Sequence, residues 1–342
     1  MSLTLFTSDR FADHLTPPGH PERVERAEVM QVVASEFRKR GGAVVEPRVA
    51  TDEELARVHD RAYLGLIRET AGRATALDPD TFTSPDTYDV ARLAAGAVLA
   101  GVDYVLGAGA GARALAMVRP PGHHAERNRA MGFCLFNNVA VAAAHARASG
   151  LARVAIVDYD VHHGNGTQWT FYDDPSILFI SSHQYPFYPG TGAAGDIGRG
   201  AGTGTTVNFP IEAGGTDADF EKIYGVAAGI LRKFQPELIL LSAGFDAHAD
   251  DPLGGMRVTT PEFARLTALV AAAADECCQG RIVAVTEGGY DLAALAGSLR
   301  AAIDVLDGST ALAKLPAPSG ETRRADVALN AVRPHLAKFW TI

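Results

Sequence analysis

The chain of 342 residues sets 31 Lys and Arg against 40 Asp and Glu, a formal net charge of −9, which argues against nucleic-acid binding through a basic face. With 47% hydrophobic and 21% charged residues it has the composition of a globular enzyme rather than a disordered chain, and its length suits one α/β domain over residues 1–342. Cys134, Cys277 and Cys278 are too few and too badly placed for a disulfide framework, which points to a reducing compartment. The first 14 residues lack a basic segment followed by a long apolar run, and the apolar tract 94–118 is interrupted by Asp103 and Arg113. A cytoplasmic protein without a membrane span is expected.

In chain order, short apolar runs predict strands at 3–7, 43–45, 114–118, 154–157, 177–181, 205–209, 238–241 and 282–286. Most are continuous rather than alternating, as in parallel strands buried on both faces. Helical patterns lie between them, at 21–40 with Ala27, Met30, Val33 and Phe37 on one face, and at 139–148. Thr51 with Glu54, and Thr259 with Glu262, have the spacing of reciprocal helix-start caps. The glycine-rich stretch 189–204 contains a G-x-G-x-x-G match at Gly190, Gly192 and Gly195, but it joins no strand directly to a helix and reads as a surface loop.

Ligand crevices in parallel sheets lie beyond the carboxyl ends of the strands. Polar clusters follow four of the apolar runs, at 119–125, 158–166, 242–248 and 287–290, and hold His123, His124, His162, His163 and His248. Alternation along an extended segment puts Asp158, Asp160 and His162 on one side, and a carboxylate and an imidazole two residues apart can grip a divalent cation. Asp246 is the best-placed third ligand, leaving an open position of the kind catalytic zinc needs; the oxygen-rich set also suits iron. A lone Asp-x-His is more often a hydrogen-bonded loop end, but burying this many carboxylates and imidazoles without a cation would cost several kcal/mol. His123 and His124 follow two prolines and a glycine. Their side chains are expected to diverge and to suit proton transfer better than shared ligation, with Asp158 and Asn165 as available partners. Tyr290 offers a phenolic donor for a developing oxyanion, the plain alternative being a core tyrosine.

Five strings carry a family resemblance: RPPGHHA at 119–125, GFCLFNN at 132–138, DYDVHHGNGTQ at 158–168, SAGFDAHADDPLGG at 242–255 and EGGY at 287–290. In this order they resemble the histone deacetylase superfamily, in the class II-like and bacterial branch that includes acetylpolyamine amidohydrolases. The resemblance runs from HPERVER at 20–26 to the helix after Tyr290. It implies the arginase-deacetylase α/β fold, a central eight-stranded parallel sheet with helices on both faces. It implies one catalytic zinc on Asp160, His162 and Asp246, the pairs His123–Asp158 and His124–Asn165, and Tyr290 polarising an amide carbonyl. Asn165 stands where other branches carry aspartate. A structural potassium ion would rest on the carbonyls of Asp158, Asp160, His162 and Ser182 with the side chains of Asp158 and Ser181.

The implied activity is hydrolysis of an N-acetyl amide to acetate and amine, on an acetylated lysine peptide or on an acetylated polyamine or other small amide. Gly132 and Phe133, opposite Tyr188, would wall a narrow tunnel; relatives usually have phenylalanine at the second wall. Leu253 stands where polyamine-selective relatives carry an acid, which favours acetyl-lysine. An arginase-type ureohydrolase would need a second metal set that RPPGHHA does not supply, and a silent acyl-lysine binding protein would usually lack Tyr290 or a ligand. Neither nucleic acid nor membrane is expected as a partner; a homo-oligomer is compatible with the sequence. Cys134, His163 and His183 read as structural, and His14, His20, Asp80 and Asp86 as candidates for the rim of the pocket.

Overall fold

The continuous apolar runs become strands that are covered on both faces. A computed structural model describes residues 2–342. Strands β1 (Ser2–Phe6) and β2 (Ala43–Val45) are joined through helix α1 (Glu25–Lys39). Helices α2 (Asp52–Leu55) and α3 (Arg61–Arg68), a small ladder of β3 (Thr75–Ala76) and β4 (Phe82–Thr83), and the long α4 (Thr87–Gly107) lead to β5 (Ala112–Ala116). Helix α5 (Asn138–Ala148) precedes β6 (Val154–Asp158), and α6 (Asn165–Phe171) precedes β7 (Ile177–Gln184) and β8 (Thr206–Ile211). The rest alternates: α7 (Asp217–Phe234), β9 (Leu238–Ala243), α8 (Thr260–Cys278), β10 (Ile282–Thr286), α9 (Leu292–Leu306) and α10 (Arg323–Leu336).

Eight strands form one sheet in the order β2-β1-β5-β10-β9-β6-β7-β8, and every neighbouring pair is parallel. Strand alternation divides the apolar side chains between two layers. Leu3, Leu5, Leu115, Ala155, Val157, Ile239 and Leu241 pack with side chains of α1, α7, α8, α9 and α10. Phe6, Ala114, Ala116, Val154, Ile156, Leu238 and Leu240 pack with those of α4 and α5. Each such Leu, Ile or Val contributes roughly 1.5–3 kcal/mol by leaving water, so a charge at Leu240 would break the centre of the sheet. Among the described residues α4 is the one helix long and apolar enough to cross a membrane, but 67% of that window is buried, and it serves as a core helix.

Two local expectations change. Strand β5 starts and ends two residues earlier than the run at 114–118. Met117 donates its N–H to the Phe6 carbonyl (2.9 Å), but the N–H of Val118 turns to the Thr286 hydroxyl (2.8 Å), so a side chain ends the ladder. The cap at α2 forms as expected, with Thr51 N–H on the Glu54 carboxylate at 2.8 Å and Glu54 N–H on the Thr51 hydroxyl at 3.2 Å. The cap expected from Thr259 and Glu262 does not form. Asp217 takes both the N–H (2.8 Å) and the hydroxyl (3.1 Å) of Thr259, and both buried Glu262 oxygens are left without a hydrogen-bond partner. The stretch 189–204 is a loop with one 3₁₀ turn, Gly200–Gly202.

Candidate active site

Strands β5, β10, β9 and β6 are neighbours in the sheet although they lie far apart in sequence. Their four carboxyl ends therefore deliver the four polar segments to one place. Asp158 is the last residue of β6, so Asp160 and His162 sit in the loop beyond it. Asp158 is not one of the converging ligand atoms: its carboxylate meets His123 Nδ1 (3.0 Å) and accepts the N–H of Asp160 (3.1 Å).

Asp160, His162 and Asp246 are buried, and each offers one ligand atom, all within 4.8 Å of one another. His162 Nδ1 lies 3.1 Å from Asp160 Oδ1 and 3.1 Å from Asp246 Oδ2. Main-chain donors aim the carboxylates: Asp160 accepts the N–H of His162 (2.8 Å) and of Gly288 (2.8 Å), and Asp246 accepts that of Val161 (2.8 Å). A Cβ at Gly244 would stand 2.0 Å from Asp160 Oδ2, and one at Gly288 would stand 2.0 Å from Asp246 Oδ2. Only glycine leaves the two carboxylates room to converge.

The electrostatics of the triplet ask for a cation. Burial lowers the affinity of His162 for a proton, but the two carboxylates outweigh it and hold the imidazole up to about 10. Burial and the Asp160 charge push Asp246 up to about 7, against the pull of His162. Two carboxylates and one imidazole around a single point form a donor set suited to a divalent ion.

The histidine pair does not diverge as expected: the ring centroids of His123 and His124 are 4.0 Å apart. A positive φ of 56° at Gly132 accompanies the turn beside them, and a Cβ there would meet the His124 ring at 2.4 Å, so this glycine makes room for an imidazole. His123 Nδ1 lies 3.0 Å from Asp158 Oδ2, and His124 Nδ1 lies 2.7 Å from Asn165 Oδ1. The surroundings drive the two apart. Burial opposes a charge on His123, but Asp160, Asp158 and Glu287 hold it well above its ordinary value. Burial pushes His124 well below, and His123 and His162 add to that. Burial also raises the Tyr290 phenol well above its ordinary value, with Asp246 and Asp160 adding and Arg26 opposing, so its hydroxyl is a donor.

A histone deacetylase domain model matches residues 20–306. The chain belongs to the histone deacetylase family. It is 40% identical over 290 residues to histone deacetylase 14, chloroplastic, of Arabidopsis thaliana, covering 80% of this chain and 69% of that one. It is 42% identical over 263 residues to the histone deacetylase-like amidohydrolase of Pseudomonas aeruginosa (76% and 69%) and 41% identical over 340 residues to the polyamine deacetylase of Homo sapiens (93% and 49%). The crystal structure of the HDA15 HD domain superposes with a TM-score of 0.90 at 35% identity, covering 99% of this chain and 95% of that one. The fold is the arginase-deacetylase α/β fold of the histone deacetylases.

Phe133 and Tyr188 pack against different members of the site. The Phe133 ring is 5.8 Å from Tyr290, and the Tyr188 ring is 5.2 Å from His124. Leu253 and Tyr290 line a cavity of about 510 Å³ with residues 16–21 and 23–25. His20 borders that cavity and packs 4.7 Å from Phe133, whereas His14 is buried against Thr87 and Glu22. The Asp80 carbonyl meets His20 Nε2 (3.0 Å), and Asp86 precedes α4. His163 bonds Thr191 and Gln168, and His183 bonds Ser181 and the Gly192 carbonyl, which makes both structural. Burial drives the Cys134 thiol well above its ordinary value, so it stays a thiol.

Sequence reasoning missed several supporting carboxylates. Glu287 accepts N–H bonds from Gly122 (2.7 Å) and His123 (3.1 Å) and a hydroxyl bond from Ser242 (3.1 Å), which ties the histidine turn to β9 and β10. Asp251 accepts the N–H of Tyr290 (2.6 Å) and of Leu253 (2.9 Å). Glu22, buried among Arg119, Arg26 and His14, steadies Arg26, which donates to the carbonyls of Glu287 (2.5 Å) and Gly289 (2.8 Å). The available signals were an acid directly after a strand, at Glu287, and the i,i+4 pair Glu22–Arg26.

Proposed function

We propose that this chain is a zinc-dependent amidohydrolase that cleaves N-acetyl amides such as acetyl-lysine into acetate and a free amine. The observation that carries this reading is the buried Asp160–His162–Asp246 triplet beside two imidazoles driven in opposite directions. Titratable groups whose surroundings push them apart are the mark of an acid and a base. A zinc ion on the triplet would supply Lewis acidity, activating water near neutral pH and polarising the amide carbonyl. His124, uncharged, takes the proton of the attacking water at Nε2 while Nδ1 is held by Asn165. His123, kept charged by Asp158, gives a proton to the departing amine as the C–N bond breaks. Asp158 lies outside the ligand triplet, so its support for that charge persists when a cation takes Asp160. Tyr290 donates its hydroxyl to the carbonyl oxygen as negative charge develops there. Gly132, Phe133 and Tyr188 would confine a thin acyl-amine chain, and Leu253 would meet it at the rim. A potassium ion would rest on the carbonyls of Asp158, Asp160, His162 and Ser182 with the side chains of Asp158 and Ser181, whose oxygens keep lone pairs for a cation beside their contacts to His123 and His183.

The second reading, an acetylpolyamine amidohydrolase, is favoured by the human relative named polyamine deacetylase. Acetate release from an acetyl-lysine peptide and from an acetylated polyamine, each with a chelated control, separates the two. Chelator-sensitive turnover of the peptide alone is expected. Preference for the polyamine would overturn the Leu253 argument and leave the zinc chemistry standing, and release from neither would overturn the deacetylase reading.

A further inference from the structure

Asn165 is the weak point of the proposed mechanism, because an amide can present either oxygen or nitrogen to its neighbour. With Oδ1 toward His124, it accepts from Nδ1–H and leaves the Nε2 lone pair free. Flipped, it would donate to Nδ1 and put the proton on Nε2, the wrong tautomer for a base. Something must tell the two ends apart.

Asn165 Nδ2 is surrounded by acceptors. Glu126 Oε1 lies 2.8 Å away, and the His124 carbonyl and Met131 Sδ each lie 3.4 Å away. A carboxylate has no hydrogen to offer, so a flipped amide would set its oxygen against Glu126 with no proton between them. Glu126 is itself held. Its N–H donates to the Arg129 carbonyl (2.9 Å), and its own carbonyl lies 3.0 Å from His59 Nδ1. His59 Nε2 accepts the N–H of Asn137 (2.9 Å), which makes Nδ1 the donor to Glu126. The half-buried Glu126 side chain also borders a cavity of about 530 Å³ with Arg57, Arg127 and Trp169, so a substituted side chain has space.

We propose that Glu126 is a positioning residue: its carboxylate fixes the amide of Asn165, and through it the Nδ1-protonated form of His124 that can take a proton at Nε2. The role rests on the deacetylase reading for its consequence in catalysis, but the orientation itself can be read without turnover.

The first readout is spectroscopic. In zinc-loaded protein with ¹⁵N-labelled histidine, the His124 signals are expected to show a protonated Nδ1 and an unprotonated Nε2, and Glu126→Leu is expected to mix or reverse them. Unchanged His124 signals in Glu126→Leu would overturn the proposal. The second readout is kinetic. Glu126→Leu is expected to lower kcat roughly 10- to 100-fold, as for lost partners of a ligand or base, with KM, zinc content and Tm unchanged. Glu126→Gln can accept from Asn165 or donate to it, so it no longer tells the two ends of the amide apart and is expected to fall between Glu126→Leu and wild type. In an Asn165→Asp background the effect inverts, because a carboxylate at that position has two equivalent oxygens, needs no orientation and faces a like charge in Glu126; there Glu126→Gln should raise kcat. An equal loss from Glu126→Leu in both backgrounds, or a loss confined to metal content or folding, would also overturn it. Absence of any amide hydrolysis by the wild type, with the expected histidine signals, would instead overturn the deacetylase reading and leave the positioning role standing.

Discussion

Tyr290 has a donor hydroxyl, an aromatic neighbour in Phe133 and a main-chain N–H fixed by Asp251. Removing that hydroxyl leaves the ring and its packing in place. Tyr290→Phe is therefore expected to lower kcat by about 100-fold, on the order of 3 kcal/mol in the barrier, with KM and zinc content little changed. Steady-state kinetics beside a metal assay decide it, and wild-type turnover in Tyr290→Phe would remove the tyrosine from the mechanism. At this scale the side chains that carry the proposed chemistry were legible. His123, His124, Asp160, His162, Asp246 and Tyr290 stand at strand ends, and their chemistry is written in their residue types. Glu287, Asp251 and Glu126 were not, because their partners include main-chain N–H groups or an amide on a distant segment. A main-chain donor looks the same at every position of a sequence.

Helix α8 shows how an element can obey its code and still be rewired. Thr259 does precede the helix, but Asp217 of the neighbouring α7 captures both its N–H and its hydroxyl, and Glu262 is left buried with neither oxygen hydrogen-bonded and Arg265 Nε 3.8 Å away. The α2 start has no such competitor, and there the reciprocal cap forms. Spacing alone therefore reads a cap correctly only where no carboxylate from another element intrudes. Burial, with the Glu221 and Asp217 charges adding and Arg265 opposing, pushes Glu262 from its ordinary 4.5 up to about 9. A carboxyl raised on folding binds its proton more tightly in the native state, so its contribution is intact below about pH 4.5 and is lost as pH rises toward 9. Glu262→Gln mimics the protonated form at every pH. Its stability advantage over wild type is expected to grow through that window, by up to about 1.36 kcal/mol per pH unit, and to vanish in acid. Urea unfolding at about pH 5, 7 and 9 measures it, and an advantage independent of pH would show that the carboxyl is not raised.

For the whole molecule, the decisive fact is the order β5-β10-β9-β6 at the centre of the sheet. Apolar runs disclose that strands exist and are covered on both faces, but any order of equally apolar strands would bury them as well. The sequence placed the site on these strand ends through its polar clusters and its resemblance to a family; strand order came only from the structure. The consequence is that the candidate ligands come from the loops after β6 and β9, with Gly288 from the loop after β10 closing on Asp160. A bound cation would cross-link loops that lie 84 residues apart in sequence, in a chain of net charge −9 that holds two carboxylates face to face. Metal that binds only the folded state stabilises it by about 2.7 kcal/mol at 100 times its Kd. For a chain of 342 residues that corresponds to a rise in Tm of about 4 °C. Before the metal enters, protons must leave His162, held up to about 10, and Asp246, held up to about 7. At a fixed zinc concentration the rise in Tm is thus expected to shrink as the pH is lowered from about 8 to about 6. Asp246→Asn removes one charge and one ligand with little change of shape, and calorimetry with and without zinc should find the shift gone. A shift of equal size in Asp246→Asn would place the stabilising ion elsewhere than between these two loops.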